Sequence, residues 1–536
     1  MKGRMTLVCL GTLGCILWML SACSDFLDVT PRGKRVVQNV EDHRDILANY
    51  LYFMKKPQRD QMELFGVSGY YYAYPWMNNA QFFASYTGEA PLPRNRQNYD
   101  PAKQQWTPYA LRMLNWTNIG EASQAWIQYY QMAGPLNMLI QDIDDAEGDD
   151  DMRRYVKGEA LVWRAYAYFK LLQYYAPYKD NAVGIPLFLN PADNIGTAMP
   201  PRSTQAEVFK QIIDDCRLVL EYLKLTPAQT WNLAYREDFT HAMLAAVYLW
   251  KAGSGAAEPD DWKHAKEEAE AAIGGRHLLS STEELKNLFD CSAARLTTTD
   301  SNPEFFIRLV DDGDGYTVLS AAAYYPIAGE GFESMVPADP EIPKLYADND
   351  RRKAFYFVEN PVPMSDVFGT QPEPIPLGAP VPGIFNDKYN RQLILDAYSL
   401  LLGSEPSVSG VFMPFRLAEM YLIKAEAACR MGDVNTGLET LRAFRASRYD
   451  NPEDFTGDAE RVLQEILNER KREFFMEYDS WWLDMKRLGK TMKRELNGET
   501  YELKGDDFKY TFPVPTGELK DNKNIRQLEE WYEYFQ

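Results

Sequence analysis

The sequence predicts a mainly α-helical fold: irregular helix pairs, a loop-rich region between them, and few short strands. Three observations predict it. Apolar and small residues recur at +3 and +4 steps in separated stretches. Prolines and glycines punctuate the gaps between those stretches. The 536 residues include 34 Tyr, 26 Phe and 12 Trp, large flat side chains that thick helix packing buries. At this length the chain is expected to form two regions sharing an interface, or one extended helical array.

The first element is a processing signal. Lys2 and Arg4 precede the apolar run Met5 to Leu20, which is short for a membrane span and fits the core of a secretory signal. It ends in Leu20-Ser21-Ala22-Cys23, which resembles a bacterial lipobox. The small residues fit a narrow peptidase site, and the Cys23 thiol is the acyl acceptor. Residues 1–22 are therefore expected to be removed and Cys23 lipidated, holding the chain on a membrane without crossing it. No later segment is apolar enough to span a bilayer. Cys216, Cys291 and Cys429 then remain, with no CxxC spacing to suggest zinc or redox chemistry.

After a polar, extended lead, Ser24 to Gly33, the chain to about Gln124 is aromatic-rich and only partly periodic. It holds Gly69-Tyr70-Tyr71-Tyr72-Ala73-Tyr74-Pro75-Trp76-Met77-Asn78-Asn79, which reads as a loop. Helical spacing takes over from Ala125. Ala160, Trp163, Ala167, Leu171 and Tyr174 form one stripe, and Pro177 stops that helix. Ala242 to Trp250 gives a second helix, followed after a Gly/Pro break by a third with Trp262, Ala265, Ala269 and Ala272. In Met413 to Arg448, Phe415, Ala418, Leu422, Ala425 and Cys429 make a stripe of mostly small residues. Gly432 suits a left-handed helix end there, and Asp433 a cap for the next helix. Small and bulky faces alternating in paired helices are the texture of tetratricopeptide repeats, which predicts a right-handed superhelix. Between the pairs, Cys291 to Ser409 loses periodicity, and Asn360 to Gly383 is dense in proline. A last long helix is expected from Glu460 to about Glu495.

Four segments in order resemble the SusD/RagB family of surface lipoproteins. They are Cys23-Ser24-Asp25-Phe26-Leu27-Asp28 after the lipobox; Gly158-Glu159-Ala160 through Arg164 to Pro177; Arg416-Leu417-Ala418-Glu419-Met420-Tyr421-Leu422 with Gly432-Asp433; and Asn468-Glu469-Arg470 through Phe474 to Arg487. The last motif usually carries Gly and Arg where this chain has Tyr478 and Ser480. The resemblance implies an outer-membrane protein facing the cell exterior, lipid-anchored through Cys23. It also implies capture of an oligosaccharide for a TonB-dependent transporter of the SusC type. A peptide ligand, as in the RagB branch, is the alternative with the same architecture. A surface glycoside hydrolase and a ligand-free helical scaffold are the others. The organisation expected is a signal at 1–22, an N-terminal region with helical repeats and the aromatic loop at 23–290, and a C-terminal region with the loop-rich insertion at 291–536.

The chemistry favours binding over catalysis. The formal charge of −20 repels phosphate backbones, so nucleic acid is excluded as a partner. Glu419, Glu426, Glu469 and Glu473 with Arg416, Arg470 and Arg487 could pass for a carboxylate pair with positioning arginines. They sit at helical spacing among apolar stripes, where such groups pair with one another. Only four His are present and no HExxH, P-loop or GxSxG occurs, so no catalytic residue and no cofactor is expected. Asp311-Asp312-Gly313-Asp314-Gly315 lacks the spacing of a calcium loop and is read as an acidic turn, leaving no metal site. Tyr71, Tyr72, Tyr74 and Trp76 lie outside any helical stripe. Aromatic faces suit the C–H patches of sugar rings, and Asn78 and Asn79 can bond hydroxyls. Trp106, Tyr316, Tyr324 and Tyr325 are weaker candidates in other loops. A loop pinned by its own aromatics is the competing reading of the first cluster.

Overall fold

The computed structural model describes residues 37–55, 82–89, 99–100, 103, 105–117, 119–190, 199–229, 231–289, 302–307, 309–310, 326–328, 341–359, 384–386, 388, 411–496 and 498–536. Helices dominate them. In chain order they are α1 (Val40–Lys55), α2 (82–87), α3 (Pro108–Leu114), α4 (Ile119–Asp142) and α5 (Asp150–Tyr175). Next come α6 (Gln205–Leu225), α7 (Glu237–Gly253), α8 (Asp261–Ile273) and the short α9 (Thr282–Leu288) and α10 (Lys353–Tyr356). The C-terminal set is α11 (Leu417–Arg430), α12 (Val434–Arg448), α13 (Ala459–Glu473) and α14 (Ser480–Leu488), then α15 (Thr516–Asp521) and α16 (Glu529–Tyr534). Among the described residues no helix is long and apolar enough to cross a membrane.

The helices stack as neighbours in a row: α4 on α5, α5 on α6, α6 on α7, α7 on α8. The row then continues from α8 to α11, although residues 274–416 intervene in sequence, and α11 packs on α12 and α13. The loop-rich stretch is thus an insertion into a helical-repeat array. Small residues let this join close tightly. Ala265, Ala269 and Ala272 of α8 and Ala418 and Ala425 of α11 are all fully or almost fully buried. Gly437 of α12 is required for the same reason, because a Cβ there would run into Cys429 Sγ. Cys429 is a small core residue, as its place in the stripe predicts, and Cys216 is likewise buried and free.

Local signals set the helix ends. Thr204 and Glu207 form a reciprocal capping box at α6, and their hydrogen bonds hold the Glu207 carboxyl below its usual range. Gly432 takes φ +86 and Asp433 accepts from the Thr436 N–H at 3.1 Å, so the α11–α12 turn forms as predicted.

The long helix expected from Glu460 to Glu495 is not one helix. It breaks after Glu473, because Met476 (φ +57) and Tyr478 (φ +50) turn left-handed, and α14 starts anew at Ser480. Gly489 (φ +59) ends α14, and a hairpin of β8 (Met492–Leu496) and β9 (Glu499–Leu503) follows. Among the described residues seven shorter strands precede it: β1 (Tyr99–Asp100), β2 (Gln105–Trp106), β3 (Leu309–Val310), β4 (Pro326–Ala328), β5 (Phe357–Glu359), β6 (Ile384–Asn386) and β7 (Val411–Phe412). β3 pairs with β7, which brings the two ends of the insertion together, and β6 lies between β4 and β5 in a small antiparallel sheet within it.

Candidate functional site

Cys23, Tyr71, Tyr72, Tyr74, Trp76, Asn78, Asn79, Tyr316, Tyr324 and Tyr325, with the acidic turn at Asp311–Gly315 and Cys291, lie outside the described residues. Trp106 is described in its backbone, which pairs with Tyr99 across β1 and β2. The candidate site is therefore built from the residues at the ends of the predicted aromatic segments, and from what holds those ends.

The first aromatic segment meets α2, which is wedged into the core by its rings. Phe83 stacks on Tyr174 at 5.6 Å and on Phe512 at 6.0 Å, and Trp482 stacks on Phe512 at 5.7 Å. Tyr86 lies 5.3 Å from Trp482, and the Trp116 indole N–H donates to the Tyr86 carbonyl at 2.9 Å. Pairs of this kind contribute roughly 0.5–1.5 kcal/mol each beyond burial. Ala84, on another face of α2, joins a second apolar cluster with Phe289, Phe305, Ile342, Phe355 and Trp481. Phe289, Phe305, Ile342 and Phe355 belong to the insertion, and Trp481 to the first turn of α14. Ala84, just after the first predicted aromatic segment, and Phe305, ahead of the second, therefore share one packed cluster.

Beside that cluster lies a buried ionic hub. Glu473 receives Arg448 through Nε (2.9 Å) and Nη2 (3.0 Å), Arg416 Nη1 (2.9 Å) and Arg352 Nη1 (3.1 Å). Glu304 accepts from Arg448 at 2.8 Å and Arg416 at 3.3 Å. Arg352 also bonds Asp350 and Glu469, each at 2.8 Å. Lys388 donates to Glu477 at 2.5 Å and to the Phe475 carbonyl at 2.8 Å, with its ammonium 4.4 Å from the Phe289 ring centre and 4.6 Å from that of Tyr356. Burial by itself would raise the Glu469 carboxyl, but Arg352 and Arg472 outweigh it and hold Glu469 at about 2. Arg448 and Arg416 likewise keep Glu473 well below the usual carboxylate range. Burial pushes Lys388 down to about 8, against the pull of Glu477.

The hub ties Glu304, Asp350, Arg352 and Lys388 of the insertion to α11, α12 and α13. Each of its carboxylates is bound by guanidinium or ammonium, and a carboxyl held near 2 gives up its proton too readily to serve as a general acid near neutrality. Glu426, gripped by Arg487 at 2.8 and 2.9 Å, and Glu419, bonded to Arg470 at 2.9 Å, are engaged in the same way. Pairing among these residues, as their helical spacing predicts, is what the structure contains. Sequence reasoning missed Glu304, Asp350, Arg352 and Lys388: the C-terminal partners of Glu304, Arg352 and Lys388 lie 85 to 144 residues away and leave no local pattern, and Asp350 is drawn in through its neighbour Arg352.

Tyr478 explains one departure from the family motif. The motif usually carries Gly at this position, and the backbone here is left-handed at φ +50. The Tyr478 hydroxyl accepts from the Met413 N–H at 3.1 Å, an attachment glycine lacks. Next to it, Lys170, Glu419, Asp479 and Ser480 help line a cavity of about 70 Å³, room for a few waters and too little for a sugar ring. A groove of about 600 Å³ near the end of α8 is bounded by Gln229, Arg236, Asp238 and Arg276, with no aromatic side chain in its described wall. Neither resembles the aromatic platform that the sequence predicts.

Comparison with known proteins agrees with this arrangement. Residues 25–249 match the SusD-like family model described as starch-binding and associating with the outer membrane, and residues 409–531 match the SusD family model. The chain belongs to the SusD family. A SusD-like protein of Bacteroides ovatus is 24% identical over 446 residues, covering 76% of this chain and 73% of that protein. A SusD-like carbohydrate binding protein from Bacteroides vulgatus superposes with a TM-score of 0.63 at 18% identity, covering 91% of this chain and 97% of the other. A SusD superfamily protein from Bacteroides thetaiotaomicron gives 0.64 at 19%, covering 91% and 99%. At such identities the likeness is one of fold. Within the SusD family frame, the two matched regions lie on either side of most of the insertion.

Proposed function

We propose that this chain is a cell-surface capture protein for oligosaccharides, held on the outer membrane by acylated Cys23 and passing its ligand to a TonB-dependent transporter of the SusC type. The observation that carries the reading is the match of residues 25–249 to a family described as starch-binding and associating with the outer membrane. The carbohydrate-binding description of the Bacteroides vulgatus relative points the same way. Tyr71, Tyr72, Tyr74, Trp76, Asn78 and Asn79 supply the stacking faces and amides, with Trp106, Tyr316 and Tyr324 as further contacts. The aromatic contacts of α2 hold the chain after the first segment and the hub holds Glu304 ahead of the second, which supports a lowered ordering cost of binding. The protein binds without cleaving, since its paired carboxylates are committed to arginine.

The test is a glycan array probed with the purified chain, in parallel with a peptide library. Any glycan retained is then incubated with the protein and its chain length followed by chromatography. Retention of an oligosaccharide at unchanged length is the expected result. Retention of peptides alone would move the ligand class to the RagB-like alternative, and shortened products would make the protein a hydrolase.

A further inference from the structure

Glu89 lies two residues beyond α2 and is 3% exposed. Its Oε1 accepts from the Met476 N–H at 2.5 Å, and its Oε2 lies 2.6 Å from Thr87 Oγ1. Thr87 has one hydroxyl hydrogen, yet its oxygen also lies 3.0 Å from the Phe83 carbonyl and 3.3 Å from that of Ala84. Carbonyls only accept, so a hydrogen spent on the bond back to Phe83 cannot also serve a carboxylate. An ionised Glu89 takes the Thr87 hydrogen and leaves the Phe83 carbonyl without it, whereas a carboxylic acid gains one bond: Glu89 donates to Thr87, Thr87 donates to Phe83, and in both forms Glu89 Oε1 accepts from Met476. Met476 is a non-glycine residue at φ +57, in a turn that needs such a hold.

We propose that Glu89 is a protonation-controlled latch, which as a neutral acid fixes the 82–89 segment to the left-handed turn at Met476 and loosens it when it ionises. The groups facing it fit a neutral state. Thr87 is its partner on its own segment. Lys471 of α13 sits 4.6 Å over the Trp481 ring, and Lys388 is engaged with Glu477, Glu473 and Phe475. Tyr346, bonded through its hydroxyl to the Arg472 carbonyl at 2.8 Å, is a further titratable neighbour among the described residues. Burial raises the Glu89 carboxyl to about 7, against the opposing pull of Thr87, Met476, Lys388 and Lys471. The latch is a property of the fold; its effect on ligand capture rests on the function proposed above, because the first aromatic segment ends just before α2.

The sign follows from linkage. A carboxyl at about 7 in the folded chain and 4.5 unfolded gives stability that is complete below 4.5 and is lost as pH rises to about 7. The test compares the full chain with Glu89→Gln, which keeps the neutral donor and acceptor pattern at every pH. Thermal midpoints are measured from pH 5 to 7, where Lys388 stays charged. Hydrogen exchange of the peptide spanning residues 474–478, corrected for intrinsic rate, is followed in parallel. The wild-type midpoint should fall by a few degrees relative to the variant across this range, and its 474–478 peptide should lose protection while that of the variant does not. Parallel midpoint profiles, or equal protection at pH 5 and 7, would overturn the latch. No ligand enters either readout, so failure of the ligand assignment leaves this test intact.

Discussion

Arg448 grips Glu473 through two hydrogen bonds of 2.9 and 3.0 Å, with neither side chain more than 1% exposed. The pair joins α12 to α13, and through Glu304 it also reaches the start of the insertion. Removing the cation should leave two buried carboxylates short of a partner. Arg448→Met is therefore predicted to cost about 3–5 kcal/mol in chemical denaturation, although it adds apolar volume.

Acid should open the same hub. Glu469 titrates at about 2 in the folded chain against 4.5 ordinarily, so its contribution is present above 4.5 and is lost as pH falls towards 2. Glu473, also held low, adds to this loss in the same direction. Circular dichroism from pH 6 to 2 should show stability falling below 4.5, with a shallower fall in Arg448→Met.

Glu159 accepts from the Leu233, Ala234 and Tyr235 N–H groups at 3.0, 2.7 and 2.8 Å, and from the Trp163 indole at 2.9 Å. Its neighbour Gly158 leaves room for the Tyr235 ring, which an added Cβ would strike. Glu159→Ala leaves several buried donors unpaired, at about 1–3 kcal/mol for each one that water does not reach. Gly158→Ala should also destabilise, by overpacking, at about 1–3 kcal/mol. Thermal and urea denaturation of the two variants check both.

How much of this was legible in sequence depends on how local the cause is. The α11–α12 turn rests on Gly432 and Asp433, and both were readable. The small-residue face joining α11 to α8 was visible as a stripe, though not which helix it would meet. The break at Met476 and Tyr478 was not readable, since a left-handed non-glycine residue is imposed by tertiary partners such as Glu89 and Met413. The β8–β9 hairpin had an unused signal. Leu496 pairs with Glu499 around Asn497-Gly498, the dipeptide that favours a two-residue hairpin turn. Tyr71, Tyr72, Tyr74 and Trp76 stand out in the sequence as aromatics outside any helical stripe and lie outside the described residues, while the ionic hub depends on contacts remote in sequence.

The anchor prediction follows from the lipobox alone. Cys23→Ala should abolish acyl labelling and move the protein from the membrane pellet to the soluble fraction. Continued sedimentation with outer membranes after a high-salt wash would contradict it.

Sugar binding is proposed to rest on the Tyr70–Asn79 aromatics. The most direct measurement is titration calorimetry of the wild-type chain and Trp76→Ala with an array-selected oligosaccharide, alongside thermal melts. Loss of one stacking face, worth about 0.5–1.5 kcal/mol beyond its contact area, should weaken affinity several-fold or more while the melting temperature holds. Unchanged affinity with a sharply lowered melting temperature would instead make Trp76 part of a structural plug, and would contradict the account.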